Sequence, residues 1–155
     1  MVMAVAFSSL VVAETVDVVS SASVENYYGD LGLEGKELAE AVNSFSGFYT
    51  ISTTNEDETP NSAFVIFAMV ENNEKYYLQF GLAESQTLVN LNRTGEGVAM
   101  YASTPLEGED APPYATVGAR IRFKVVTDET VLATIAQGAA AGTVFAEIVQ
   151  VLPLG

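Results

Sequence analysis

The 155-residue sequence contains no cysteine, no histidine and no tryptophan. Without cysteine, the chain forms no disulfide, no thiolate metal site and no cysteine nucleophile. Without histidine, it lacks the commonest transition-metal ligand and the usual base at neutral pH. Catalytic triads that depend on histidine are therefore excluded.

Basic residues are also scarce, since 6 lysines and arginines stand against 20 acidic residues and give a net charge of −14. Nucleic-acid binding draws its affinity from many basic contacts to phosphates, and anionic membrane surfaces attract basic segments. We therefore expect no nucleic-acid partner and no membrane partner. A solvated acidic surface is the plain interpretation, although such a charge also favours docking to a basic partner.

The length and the hydrophobic fraction of 49% indicate one globular domain. We place that domain at residues 31–155, after an N-terminal arm of residues 1–30. Residues 1–13 are apolar and end in Val11-Val12-Ala13, like a secretion signal, but no basic residue precedes Lys36. We favour an ordered arm with a β-strand and a cytoplasmic protein, while a signal segment and an exported form stay open.

The hydrophobic period changes several times along the chain. A helical period predicts helices near 31–46, 85–92 and 128–137, with Ser85 as the N-cap of the second. Ser62–Val70 is almost continuously apolar, which predicts a strand that is buried on both faces, and the first three strands are expected to form a meander. Short strands separated by turn signals predict a mainly β fold, a six-stranded antiparallel split barrel. The six predicted strands are 48–54, 62–70, 75–80, 97–103, 114–126 and 143–152.

Acidic residues cluster at Glu56-Asp57-Glu58 and again at Glu107, Glu109 and Asp110. Neither cluster has the ligand spacing or the glycine of a calcium-binding EF-hand loop. We therefore predict no metal site. No acid–base pair stands out either, so the catalytic residues, if there are any, stay unknown.

Five segments occur in a recognisable order after the first predicted helix. The segments are Phe48–Thr54, Pro60–Val65, Tyr76–Gly81, Ser85–Leu91 and Gly97–Tyr101. The individual motifs are short, and their order carries a resemblance. That order resembles the FMN-binding split barrel of the pyridoxamine 5′-phosphate oxidase-like superfamily, over about residues 31–155.

The resemblance implies a homodimer that holds FMN at the dimer interface, with the phosphate near the start of the second helix. A helix start suits an anion because its first amides lack partners inside the helix and the helix dipole favours negative charge. These amides belong to Ser85, Gln86, Thr87 and Leu88, and we expect the Thr87 hydroxyl to contact the phosphate. Arg93 follows on the same helix and is expected to reach back.

The flavin ring needs flat apolar walls and a few backbone hydrogen bonds. A glycine at a strand end, such as Gly81, permits close backbone approach. The resemblance gives six candidates, and the first three, Phe64, Val65 and Ile66, are equally well interpreted as ordinary residues of the barrel core. The six candidates are Phe64, Val65, Ile66, Gln79, Phe80 and Gly81.

The sequence departs from the family pattern at one important point. Gln86 and Thr87 stand where the family often has arginine or lysine, which neutralises a phosphate of about −1.5 to −2 charges. Arg120 and Arg122 supply that charge if their strand face lines the site, and otherwise they belong to a solvated face. The departure leaves the retention of flavin open.

Three interpretations of the function therefore compete. The first is an FMN-binding redox protein, which could act as an FMN-dependent oxidoreductase. The alternative is a cofactor-free split-barrel homodimer that acts as a binding or interaction module. An exported β-barrel domain of unrelated role is the third interpretation, and it depends on residues 1–13.

Overall fold

A computed structural model describes residues 33–105 and 116–152 of the chain. The predicted N-terminal arm of residues 1–30 and most of the predicted loop at 104–113 lie outside these ranges. Every strand pair in the described part is antiparallel. The helices are α1 (Gly35–Ser44), α2 (Gln86–Thr94) and α3 (Glu129–Ile135), and the strands are β1 (Tyr49–Thr54), β2 (Pro60–Val65), β3 (Phe67–Asn72), β4 (Lys75–Gly81), β5 (Glu96–Pro105), β6 (Thr116–Val125) and β7 (Thr143–Leu152).

The strands form one sheet in the order β2-β1-β5-β6-β7-β4-β3. Strands β2 and β3 stand at opposite ends of this order, yet Ile66 alone separates them in the chain. The two ends of the sheet must therefore lie next to each other, so the sheet curls into a barrel. No ladder pairs β2 with β3, and this open seam is the split of a split barrel.

The mainly β split barrel is confirmed, but the expected number of six strands is wrong. The apolar run Ser62–Val70 belongs to two strands, because the chain leaves one end of the sheet at Ile66 and enters the other end. The predicted meander is wrong for the same reason. The run is also not buried on both faces, since Phe64 is 76% exposed and Ile66 is 80% exposed.

Alternation along the strands builds the core. Ile51, Ala99 and Ile121 face one another across β1, β5 and β6, and all three are fully buried. Neighbouring residues point to the opposite, outward face, and β6 shows this alternation, since Ala119, Ile121 and Phe123 are buried and Lys124 is exposed. Helix α1 adds the buried residues Leu38 and Val42 to the core.

Helix α2 begins where the sequence predicts and extends two residues beyond the predicted end, to Thr94. The Ser85 hydroxyl accepts a hydrogen bond from the Leu88 amide at 3.3 Å, as an N-cap does. Gly95 closes the helix in the left-handed conformation, with a φ of 69°. None of the helices in the described ranges has the length and apolar character needed to cross a membrane.

Tyr101 has a buried hydroxyl with no hydrogen-bond partner among the described residues. Burial raises the pKa of this phenol, and neighbouring Tyr49 raises it further. An unpaired buried hydroxyl costs free energy that a phenylalanine would not. We expect Tyr101→Phe to increase the free energy of unfolding in urea by about 1 kcal/mol.

Tyr49→Phe is the matched control for this prediction. The Tyr49 hydroxyl donates to the carbonyl oxygens of Val42 at 2.7 Å and Phe45 at 3.1 Å. Its removal should lower the free energy of unfolding by about 1 kcal/mol, the opposite sign. Equal destabilisation by both variants would show that Tyr101 has a partner after all.

Candidate functional site

Asn90 lies at the centre of a polar cluster between α2 and the hairpin of β1 and β2. Its side chain is fully buried. Its amide nitrogen donates to Thr53 Oγ1 at 3.0 Å and to Asn55 Oδ1 at 2.8 Å. Its own oxygen accepts a hydrogen bond from Gln86 Nε2 at 2.9 Å. The side-chain amide of Asn90 is thus hydrogen-bonded to β1, to the turn after β1 and to the first residue of α2.

Asn61 of β2 makes the second set of contacts in this cluster. Its amide nitrogen donates to Thr53 Oγ1 at 3.1 Å and to Thr87 Oγ1 at 3.0 Å. Thr53 is 6% exposed and Thr87 is 2% exposed. The cluster consists of neutral side chains, and it fixes the start of α2 against both strands of the hairpin.

The start of α2 presents backbone amides to the space around it. Ser85 uses the amide of Leu88, while the amides of Gln86 and Thr87 have no partner inside the helix. The side chains of Ser85 and Gln86 are exposed, whereas the Thr87 hydroxyl is turned toward Asn61. A direct contact between the Thr87 hydroxyl and a phosphate stays a prediction.

The predicted flavin-ring residues lie on both sides of the split. Phe67 is opposite Phe80 in the ladder of β3 and β4, which places Ile66 next to Gly81. A Cβ built on Gly81 would meet no atom within 4 Å, so the backbone there faces open space. Four residues further along the chain, Ser85 caps α2. The structure therefore brings the end of β2, the end of β4 and the start of α2 to one region.

Four other predicted residues contribute less to this region. The ring of Phe80 is 2% exposed and packs on Phe123 with 5.7 Å between ring centroids, so its side chain belongs to the core. Val65 and Gln79 are half-buried. Arg93 lies in the last turn of α2, where its guanidinium donates to the Thr54 carbonyl, so it does not reach the start of the helix.

The arginines of β6 point away from α2. Arg122 lies in register with Val98, and Val98 lies opposite Ser52, so all three occupy the outward face of the sheet. Thr53, which anchors α2, follows Ser52 and points to the inward face. Arg120 is on the same outward face as Arg122. Neither arginine lies beside the start of α2.

Large apolar side chains stand exposed on the outward side of the sheet. Phe48 is 79% exposed, and its ring lies 5.4 Å from that of Phe64 between centroids. Met100, in the same row as Phe64 across β1, is 38% exposed. With Ile66, these residues form what we call the outer aromatic patch. Patches of this kind usually mark interaction surfaces.

The sequence analysis did not identify Phe48 as part of an exposed patch, and it did not predict the polar cluster around Asn90. One signal for the cluster was present, because Thr87, Asn90 and Leu91 share the i, i+3, i+4 spacing of a buried helix face. Two polar residues on such a face predict a buried network. Within the described ranges there is no group of three or more acidic residues suited to a metal ion.

No protein-family model matches the sequence, and no curated protein matches it significantly. Solved structures do resemble the fold. An FMN-binding protein from Syntrophomonas wolfei subsp. wolfei is 20% identical, with a TM-score of 0.52, and the match covers 90% of this chain and 96% of that protein. An FAD-binding protein from Mycobacterium smegmatis is 22% identical over 79% of this chain and 96% of its own, with a TM-score of 0.52.

A proposed pyridoxamine 5′-phosphate oxidase from Lactobacillus delbrueckii subsp. has a TM-score of 0.53 at 14% identity, over 79% of this chain and 94% of its own. At such low identities the likeness concerns the fold. It confirms that this chain has the split-barrel fold of the superfamily that its motifs resemble.

Proposed function

We propose that this protein binds a flavin, FMN, at the split of the barrel. The observation that carries the proposal is the meeting of three predicted segments in one region, with an open backbone at Gly81 beside the start of α2. Ile66 supplies an exposed apolar side chain there, and the α2 amides supply donors for a phosphate. The FMN- and FAD-binding proteins of the same fold support the proposal.

The neutral cluster suits this role because it holds α2 in place without a basic side chain. Thr53, Asn61 and Asn90 fix the helix, while the amides of Gln86 and Thr87 face outward from its start. A bound flavin would supply hydride or electron transfer, the chemistry proper to this cofactor. We accordingly propose a redox role.

We also propose that the protein is a homodimer. The outer aromatic patch is the surface that supports it, since Phe48, Phe64 and Ile66 are each more than three-quarters exposed. The fold resemblance, in which FMN lies at a dimer interface, points the same way. A patch that pairs with its own copy across a two-fold axis gives a closed dimer.

A cofactor-free dimer is the second candidate, and one observation favours it. The first turn of α2 contains no basic residue, and Glu84 directly precedes its N-cap. At the start of α2, only the helix dipole would stabilise a phosphate dianion, in a protein whose net charge is −14. Under this alternative, the patch serves a partner or a second copy, and no flavin binds.

Titration with FMN and with riboflavin tests the proposal. We expect flavin fluorescence to change saturably with FMN and to show weaker binding of riboflavin, which lacks the phosphate.

Thr87→Val removes a hydroxyl next to the site, and this hydroxyl is also the acceptor for Asn61. It should weaken FMN binding roughly tenfold to a hundredfold. Gln86→Arg adds a positive charge at the start of α2 and should strengthen FMN binding.

Riboflavin is the control ligand, because changes at a phosphate site should leave its affinity nearly unchanged. If FMN binds but neither variant alters its affinity, the phosphate is not at α2. If the wild-type protein binds neither flavin, the cofactor-free dimer becomes the better account.

A further inference from the structure

A groove of about 670 Å³ runs between α1 and β3. Its size lies within the range of ligand-binding clefts in proteins. Ala39 and Met69 line it and are buried, so they form an apolar floor. Asn43 of α1 lies beside Met69, whereas Glu71 and Tyr76 line the groove further along the hairpin of β3 and β4. The backbone of an edge strand therefore forms one wall of the groove.

Strand β3 is the last strand of the sheet, so one of its two sides has no neighbouring strand. The turn from β3 to β4 consists of two residues with positive φ, and Asn72 pairs with Lys75 across it. In such a hairpin the residues next to the turn exchange backbone hydrogen bonds, and every second residue directs its N–H and C=O toward the free side. In β3 the residues that face the free side include Met69 and Glu71.

Asn43 occupies the place of a neighbouring strand at Met69. Its side-chain nitrogen donates to the Met69 carbonyl oxygen at 3.0 Å, and its side-chain oxygen accepts from the Met69 amide at 2.8 Å. An antiparallel strand residue would make the same pair of bonds. The backbone of Glu71 has no hydrogen-bond partner on the free side among the described residues. The edge of β3 is thus closed at Met69 and open at Glu71.

The side chains around this open edge carry a net negative charge. Among the described residues that line the groove, the charged ones are Lys36, Glu40 and Glu71. Lys36 lies 3.5 Å from Glu40 in an exposed pair on α1, so these two charges offset each other. Glu71 has the neutral Tyr76 hydroxyl as its partner, at 3.5 Å, and keeps its charge. Lys75 points to the opposite face of the hairpin from Tyr76. The open edge therefore favours a cation.

We propose that the groove binds an extended basic segment of a partner protein, which adds to the edge of β3 as a short strand. The backbone of the segment pairs with the N–H and C=O of Glu71, as in other cases of β-strand addition. A lysine or arginine of the segment stands opposite the Glu71 carboxylate, and its aliphatic part lies along Tyr76. Asn43 limits the length of the added strand, because it holds the next position at Met69. Charge complementarity selects a basic segment, since the chain has a net charge of −14.

This surface is separate from the proposed flavin site and from the outer aromatic patch. The pair of Glu71 and Tyr76 lies four residues along β3 from the pair of Phe67 and Phe80, which adjoins the split. At about 3.3 Å per residue, the two pairs are roughly 13 Å apart. Binding of the segment therefore depends neither on flavin nor on dimer formation.

Nuclear magnetic resonance titration of the full chain with three capped five-residue peptides tests the proposal. The first peptide alternates lysine and valine, the second has glutamate in place of lysine, and the third is the lysine peptide with N-methylated backbone amides. We expect saturable shifts of the Glu71 backbone amide and the Asn43 side-chain amide with the lysine peptide, and none with the glutamate peptide. The N-methylated peptide keeps the charge but lacks N–H donors, so it should bind at least about fivefold more weakly.

Variants of Glu71 separate the two contributions. Glu71→Gln removes the carboxylate and should weaken binding of the lysine peptide about threefold to fivefold. Glu71→Pro also removes the N–H on the free side, which an edge strand tolerates, and should weaken binding a further threefold to tenfold, roughly. Glu37→Gln makes the same charge change on α1 at an exposed position outside the groove, and should alter the affinity less than about twofold.

Four results would overturn the proposal. Equal binding of the lysine peptide and its N-methylated counterpart would leave charge alone as the cause of binding. Equal weakening by Glu37→Gln and Glu71→Gln would assign the binding to the overall acidity of the chain. Shifts confined to the acidic turn of residues 56–58 would move the peptide to another surface. Absence of saturable shifts with the lysine peptide would exclude strand addition in the groove.

Discussion

Asn90→Leu should lower the free energy of unfolding by about 3 kcal/mol, the largest stability effect that we expect from one substitution. Leucine has nearly the shape of asparagine but forms none of its three side-chain hydrogen bonds. Thr53 keeps its bond from Asn61, while Asn55 and Gln86 lose a buried partner. Urea unfolding followed by circular dichroism measures the change.

Asn92→Leu on the same helix is the matched control for Asn90→Leu. Asn92 is exposed, so the same substitution changes helix propensity by the same amount and removes no buried bond. We expect its free energy of unfolding to stay within about 0.5 kcal/mol of the wild-type value. If the two variants behaved alike, the cluster would contribute nothing to the attachment of α2.

The local features of the fold were predictable from the sequence because their causes are local. Ser85 caps α2 through an amide three residues away, and Gly95 ends the helix through its own backbone freedom. The alternation in β6 follows from neighbouring residues that face core and solvent in turn. Each of these signals lies within a few residues of the feature that it predicts.

The split was not predictable in the same way. Phe64 and Ile66 are large and apolar, so the sequence indicates burial, although both are exposed on the outward face. The alternation even continues across Ile66, since Val65 and Phe67 both point inward. Nothing local marks the residue at which the chain passes from one end of the sheet to the other. The transition depends on the pairing of β1 with β5 and of β4 with β7, strands that are distant in sequence.

The candidate site shows the same limit. The resemblance led to the residues around the split, but not to the cluster that holds α2. Asn90 bonds to Thr53 and Asn55, which are 37 and 35 residues away in the chain. Polar side chains usually face solvent, so only the helical spacing of Thr87 and Asn90 indicated burial. Partners at such distances become visible only when the strands are paired.

Phe64→Glu should dissociate the proposed homodimer, with a rise of at least about a hundredfold in its dissociation constant. Phe64 is central in the outer aromatic patch, where it lies between Phe48 and Met100. In a dimer with two-fold symmetry, the substitution removes two buried rings and places two carboxylates in the interface. Because Phe64 is 76% exposed within one chain, the fold of each protomer should survive.

Val89→Glu is the control for this prediction, since Val89 is 58% exposed on α2 and lies outside the patch. Sedimentation at micromolar concentration should show a dimer for the wild type and for Val89→Glu, and a monomer for Phe64→Glu. A flavin held between two protomers would lose affinity together with the dimer. Phe64→Glu should therefore weaken FMN binding as well, whereas Val89→Glu serves as a control for dimerisation alone, because it adds a negative charge to the first turn of α2. A wild-type protein that sediments as a monomer would instead mean that the patch serves a different partner.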